Sequence, residues 1–257
     1  MADRKRHIDI MGIVNLTEDS FYSESRVDTI DGALDKAAKM LAEGADIIDL
    51  GACSTAPGNE PVGEDVEWKR LKPVLKTLRE AFPEAKLSID TFRAEIVRRC
   101  FDAIGPFWVN DVSGGADEGM LPLVASLGLT YIATYSKDGY TSIKDAYDFF
   151  RDFSETAEEN GIKDWILDPG IGFAKTLDQN YDILNNLDCL AGFMGRRLLV
   201  GVSRKSMIYK LLDISPEDAL APTQVVHYEA LRKGADILRV HDVAAAIQTV
   251  KLYRMFS

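Results

Sequence analysis

The sequence predicts an α/β protein of the (β/α)8 TIM-barrel class, with residues 1–257 as one domain. Three observations predict it. Eight short apolar runs alternate with longer amphipathic stretches. The first run leads into "GIVNLTEDSF", without the G-x-G-x-x-G turn expected of the rival, a doubly wound sheet. A chain of 257 residues with no low-complexity segment, no Pro/Ser-rich linker and no shift in composition suits a single barrel.

The elements follow in order. "IDIMGIV" (8–14) is the first strand candidate. After it, "GALDKAAKMLAEGAD" spaces apolar residues by three and four, so 31–43 reads as a helix stopped by Gly44. "DIIDL" (46–50), "KLSID" (86–90) and "FWVND" (107–111) are short apolar runs ending on polar groups, with helix-like stretches at 64–81 and 92–103. "TYIAT" (130–134) precedes a helix-like 143–160. "DWILD" (164–168) is broken at once by Pro169-Gly170, and 177–190 follows as a helix. "RLLVG" (197–201) and "DILRV" (236–240) complete the eight, and 242–255 reads as the last helix.

Composition narrows the partners. The net charge of −11 argues against nucleic acid, whose phosphates need a basic face, yet leaves room for a small anion at a local cationic cluster. No apolar run approaches the ~18 residues of a membrane span, and "MADRKRHIDIMG" lacks a signal-peptide core, so a cytoplasmic protein is expected. Cys53, Cys100 and Cys189 fit neither a disulfide framework nor a zinc motif; Cys100 and Cys189 fall in helix-like stretches and read as core.

Barrel active sites sit at the C-terminal strand ends. Those ends carry Asn15, Asp49 to Gly51, Asp90, Asn110 with Asp111, Asp168, Ser203 to Lys205, and Arg239 with His241; only "TYIAT" ends blandly. Asp90 (or Thr91) could instead cap a helix starting at Phe92, but two acids with Asn110 between them suit a flat heterocycle rich in N–H groups. Ser203, Arg204 and Lys205 stand where a helix opens and backbone N–H groups are free; the alternative for Lys205 is a surface cation. Arg239 and His241, two apart in an extended segment, face one side and suit phosphate or pyrophosphate, the alternative being an internal salt bridge. Asn15 and Thr17 could supply neutral oxygens to Mg²⁺, or form an Asx turn. His7 and His227 read as structural, and no Ser–His–Asp set is evident.

Taken together, "MGIVNLTEDSF", "GADIIDLG" with "STAPG", "SIDT", "VNDVSGG", "LDPGIGFAKT", "VGVSRKS" and "LRVHDV" resemble the dihydropteroate synthase family, in family order and over nearly the whole chain. The resemblance implies a TIM barrel. It implies an enzyme that joins p-aminobenzoate to 6-hydroxymethyl-7,8-dihydropterin pyrophosphate, releasing pyrophosphate. It implies Asp90, Asn110, Asp168 and Lys205 around the pterin, Asn15 on Mg²⁺, and Thr55, Arg239 and His241 on the pyrophosphate. Loops with Phe21, Ser54 and Pro57 would close over the site and, with Phe173, Lys205 and Ser206, form the p-aminobenzoate pocket. Asp90, Lys205, Arg239 and His241 would carry the chemistry, and a homodimer is the family habit.

The sequence departs from the family in places. Glu18 replaces a proline, "YSESRVDT" lacks the usual glycines, Cys53 stands where Glu, Tyr or a similar residue is usual, and Ala56 replaces an arginine. After the fifth strand, "IATYSKDGY" replaces an M-H-M-like stretch. The pterin residues are kept better than the closing loops. This leaves open a weakened synthase, a non-catalytic pterin-binding paralogue, or a pterin-dependent methyltransferase.

Overall fold

A computed structural model describes residues 7–16, 26–53 and 60–256, and the side chains of 26–29 are not described. Eight parallel strands close a barrel in sequence order: β1 (Asp9–Asn15), β2 (Ile47–Gly51), β3 (Lys86–Asp90), β4 (Trp108–Asp111), β5 (Thr130–Thr134), β6 (Trp165–Asp168), β7 (Arg197–Val200) and β8 (Ile237–Val240). Each observed strand lies within one residue of its sequence-predicted span. The described helices are α1 (Arg26–Glu43), α2 (Glu64–Ala81), α3 (Ala94–Ile104), α4 (Met120–Leu127), α5 (Ile143–Asn160), α6 (Leu177–Asn185), α7 (Ser206–Leu212), α8 (Leu220–Arg232) and α9 (Val243–Phe256). Among the described residues no helix is long and apolar enough to cross a membrane.

Two layers of apolar packing hold the barrel. Outward strand residues meet the helices in one large core. Inside, Met11, Ile47, Ile132, Ile166, Leu199 and Ile237 form a separate plug. Alternation along each strand then dictates what stands above that plug. Two residues on come Ile13, Asp49, Thr134, Asp168, Gly201 and Arg239, and β3 and β4 add Asp90 and Asn110 in the same alternation. The apolar plug forms the floor, and the polar side chains resting on it form the candidate site.

Some expectations change. Residues 177–190 are not one helix: α6 ends at Asn185, and a 3-10 turn spans Leu187–Cys189. That break leaves Cys189 exposed rather than in the core, whereas Cys100 is buried as expected. Helix α3 starts at Ala94, not Phe92, and its first amide is held by Asp117 Oδ2 at 2.8 Å. Asp90 is therefore not a helix cap, and the neighbouring Thr91 accepts the Arg93 amide, at 3.3 Å.

Candidate active site

Strand register sets the first row. Asn15 pairs with Gly51, Gly51 with Asp90, and Asp90 with Asn110, so these four stand side by side on one rim. Across the barrel Thr134 pairs with Asp168. Gly51 leaves space in the row: a Cβ there would lie 3.6 Å from Asp90 Oδ2 and 3.7 Å from Asn15 Oδ1.

Arg239 ties the row to the layer below. Its Nε donates to Asp49 Oδ2 at 2.7 Å and its Nη2 to Asp90 Oδ2 at 2.7 Å. Asn110 Nδ2 donates to the same Asp49 oxygen at 3.1 Å. The internal salt bridge weighed for Arg239 is thus present. Asp49 Oδ1 and Asp90 Oδ1 are buried without a hydrogen-bond partner among the described residues, which is a costly state unless a ligand supplies donors. Burial raises the pKa of Asp90 to about 7, against the pull of Arg239 and with the push of Asp49. Although burial opposes its charge, Arg239 is held firmly protonated by its carboxylates.

Asp168 opens the loop whose composition stood out in the sequence. Its Oδ1 accepts the Gly170 amide at 2.8 Å. Burial raises its pKa, while Lys205 and that amide lower it. Gly170 adopts φ +66°, and a Cβ there would lie 1.9 Å from the Tyr135 carbonyl oxygen, so only glycine fits. Lys175 ties the loop down by donating to the carbonyls of Tyr135, Gly170 and Phe173 at 2.9, 3.1 and 3.0 Å. Lys205 Nζ reaches the Ile171 carbonyl and lies 4.8 Å from the centre of the Phe173 ring. Burial lowers the pKa of Lys205 to about 8, with Asp168 pulling it back up.

His241 lies half-buried beside Ser203, with Nδ1 at 3.1 Å from Ser203 Oγ. Burial first, then Arg239, lowers its pKa to about 4, so the ring is neutral at neutral pH. The "SRKS" segment corrects one expectation. The amides of Arg204 and Lys205 are not free, since they donate to Thr223 Oγ1 and to the Val202 carbonyl, both at 3.2 Å. Arg204 itself forks onto Asp242 at 2.8 and 3.0 Å and so builds the loop. Asp111 faces outward, where it accepts from Tyr131, Ser113 and Gly115 and organises the loop after β4.

The structure thus brings together Asp90, Asn110, Asp168, Phe173, Lys205, Arg239 and His241, with Asn15 on the rim and Ser206 opening α7. Phe21, Thr55 and Pro57, with Thr17, Glu18, Ser54 and Ala56, lie outside the described residues. The sequence reading placed Asp49 on the rim without a role and overlooked Lys175 and the end of β5, where the Tyr135 carbonyl anchors the loop after Asp168. The carboxylate of Asp49, in an apolar strand two residues above the plug, is the signal that could have singled it out.

Asn15, at the end of β1, sets a neutral side-chain oxygen on the rim beside Gly51, the donor type that a hard cation takes. The described residues contain one group of three His or acidic ligands, His7, Asp9 and Asp46, and it lies at the strand starts, the opposite end of the barrel.

Residues 11–241 match the family of pterin binding enzymes. The chain belongs to the pterin-binding enzyme family. It is 36% identical over 250 residues to a dihydropteroate synthase of Clostridium beijerinckii, covering 95% of this chain and 92% of the relative. Among solved structures, a Clostridium difficile dihydropteroate synthase determined with pteroic acid superposes with a TM-score of 0.92 at 34% identity, over 100% of this chain and 98% of that one. A Xanthomonas albilineans dihydropteroate synthase with 4-aminobenzoic acid gives 0.90 at 32% identity, covering 97% and 93%.

Proposed function

We propose that this chain is a dihydropteroate synthase, condensing 6-hydroxymethyl-7,8-dihydropterin pyrophosphate with p-aminobenzoate and releasing pyrophosphate. The observation that carries this reading is the polarity of the site. Asn110, Asp168 and the unpartnered oxygen of Asp90 offer acceptors, and on the other side of Asp90 the bridging Arg239 and the neutral His241 offer N–H donors to an anion. A ligand with an N–H-rich flat head and an anionic tail matches both sides. Relatives about a third identical to this sequence carry the synthase name, and two solved ones were determined with pteroic acid or 4-aminobenzoic acid.

The residues take roles in that frame. Asp168 and Asn110 receive pterin donors, and Lys205 donates to the ring while lying over Phe173. Arg239 and His241 hold the pyrophosphate, and the family resemblance adds Thr55. The carbon–oxygen bond breaks, and its electron pair leaves with pyrophosphate. The cationic methylene left behind sits beside Asp90, whose negative charge stabilises it. The p-aminobenzoate nitrogen then forms the new carbon–nitrogen bond and loses a proton. Phe173 and Ser206 line the p-aminobenzoate side, to which the family resemblance adds Phe21 and Pro57, and water is kept from the cation. Asn15 would hold Mg²⁺, which when bound neutralises charge on the leaving group.

The closed barrel between residues 9 and 240 supports one domain over 1–257. A cytoplasmic homodimer goes with this function, and light scattering at graded concentrations tests the dimer. The deciding experiment is pyrophosphate release with Mg²⁺, with and without p-aminobenzoate. Release that depends on p-aminobenzoate is the expected result. Tight pterin binding with no release would instead make the chain a pterin-binding protein without turnover, the reading that Ala56 favours.

A further inference from the structure

Beside the barrel mouth, a cavity of about 250 Å³ opens between α1 and the start of α9. Lys36, Lys39 and Met40 line it from α1, and His241 and Asp242 line it from the turn after β8. The height of Lys36 follows from its neighbours. Met40 Sδ lies 2.7 Å from where a Cβ on Gly12 would sit, and Gly12 is the register partner of Val240. Helix α1 runs against the strand direction, so Lys36, one turn before Met40, stands level with His241, next after Val240. In barrels of this class, the loops after the seventh and eighth strands commonly hold phosphate.

The charges around this cavity are almost all spent. Lys39 pairs with Glu43 at 3.8 Å, and Glu43 also accepts the Ala244 amide at 3.3 Å. Both oxygens of Asp242 go to Arg204. Arg239 is shared between Asp49 and Asp90, and His241 is neutral at neutral pH. Lys36 is left with no ion pair or hydrogen bond among the described residues. Its side chain is exposed to solvent, yet the partial desolvation of its ammonium lowers its pKa more than the field of Asp242 raises it. Lys36 in turn helps to hold the His241 ring neutral, so the two side chains lie within electrostatic reach. A pyrophosphate group beside His241 would meet too little positive charge from Arg239 alone, and Lys36 is the unspent cation on that side.

We propose that Lys36 is a further substrate contact, an ammonium that receives the outer phosphate of the pyrophosphate group where it passes His241 into this cavity. This rests on the synthase reading above. The test compares the wild type with Lys36→Gln, Lys36→Arg and, as a neighbouring control, Lys39→Gln. Titrations measure affinity for inorganic pyrophosphate and for 6-hydroxymethylpterin, which has no phosphate, and steady-state kinetics give KM for each substrate. Lys36→Gln is expected to weaken pyrophosphate and to raise KM for the pyrophosphate ester about tenfold, the loss of one charge-assisted contact. KM for p-aminobenzoate and affinity for the plain pterin stay unchanged, Lys36→Arg recovers most of the loss, and Lys39→Gln behaves as wild type. Unchanged pyrophosphate affinity in Lys36→Gln overturns the proposal and leaves the synthase reading standing. Equal loss of the plain pterin and pyrophosphate also overturns it, since that marks structural damage. A wild type that binds neither pyrophosphate nor its ester removes the synthase reading, and the role of Lys36 with it.

Discussion

Replacing Asp49 by Asn removes one negative charge from beneath the candidate site and keeps the shape. An amide oxygen can still accept from Arg239 Nε and Asn110 Nδ2, both of which donate to Asp49 Oδ2 now. One Arg239 Nη2 lies 2.6 Å from Asp49 Oδ2 and 2.7 Å from Asp90 Oδ2, so the two carboxylate oxygens are within about 5.3 Å of each other. At that separation, with an effective dielectric constant of about 20, their repulsion is about 3 kcal/mol, or about two pKa units. Asp90 starts from about 7, raised by burial and in part by Asp49. The anionic form is the one that stabilises a developing cation, so kcat/KM for the pyrophosphate ester should fall on acidification through that pKa. Asp49→Asn should move this acid limb down by about one to two units. The basic limb, set by Lys205 near 8, should stay, because Lys205 answers to Asp168, Arg239, Lys175 and Asp90 rather than to Asp49. The assay is pyrophosphate release at saturating p-aminobenzoate from pH 5 to about 9. An acid limb that stays in place, or moves up, would refute the assignment of Asp90 and its coupling to Asp49.

Three further outcomes can be measured. Gly170→Ala puts a Cβ against the Tyr135 carbonyl at φ +66° and should cost about 3 kcal/mol or more in urea denaturation while weakening pterin binding; wild-type stability would contradict the packing described. His227 is buried, and burial lowers its pKa to about 4. The unfolded chain therefore binds more protons between pH ~6.5 and ~4, so this group's contribution to stability is lost as pH falls through that window, by up to about 3 kcal/mol. His227→Gln should flatten the dependence of Tm on pH there, and an unaltered slope would remove His227 as the cause. Chelation by EDTA should stop turnover and Mg²⁺ restore it, with Asn15→Ala needing about tenfold more Mg²⁺. Activity indifferent to EDTA would count against the metal, and an unchanged Mg²⁺ requirement in the variant against Asn15.

Much of this was legible in the sequence because a barrel repeats one local rule. An apolar run ending on Asp, Asn or Arg gives the strand, its direction and the position of the polar group on the rim, as for Asp90, Asn110 and Asp168. What stayed hidden depends on partners far apart in the chain. Asp49 and Arg239 are 190 residues apart, and neither strand alone shows that they share a hydrogen bond. Lys175 spends its ammonium on carbonyls, one of them 40 residues away, which side-chain patterns do not reveal. Cys189 looked like core because the helical spacing appeared to continue, whereas the backbone leaves α6 at Asn185 and turns the thiol outward.

The attachment of Lys175 to the Tyr135 carbonyl has a kinetic consequence. It joins the turn after the sixth strand to the end of the fifth, so this wall beside the flat ring is set before any ligand arrives. Amides from Gly170 to Phe173 should exchange with solvent as slowly as the strands beneath them, in one cooperative unit. Recognition of the ring is then closer to rigid docking than to ordering of a chain segment, and little of its association free energy is diverted to organising that turn.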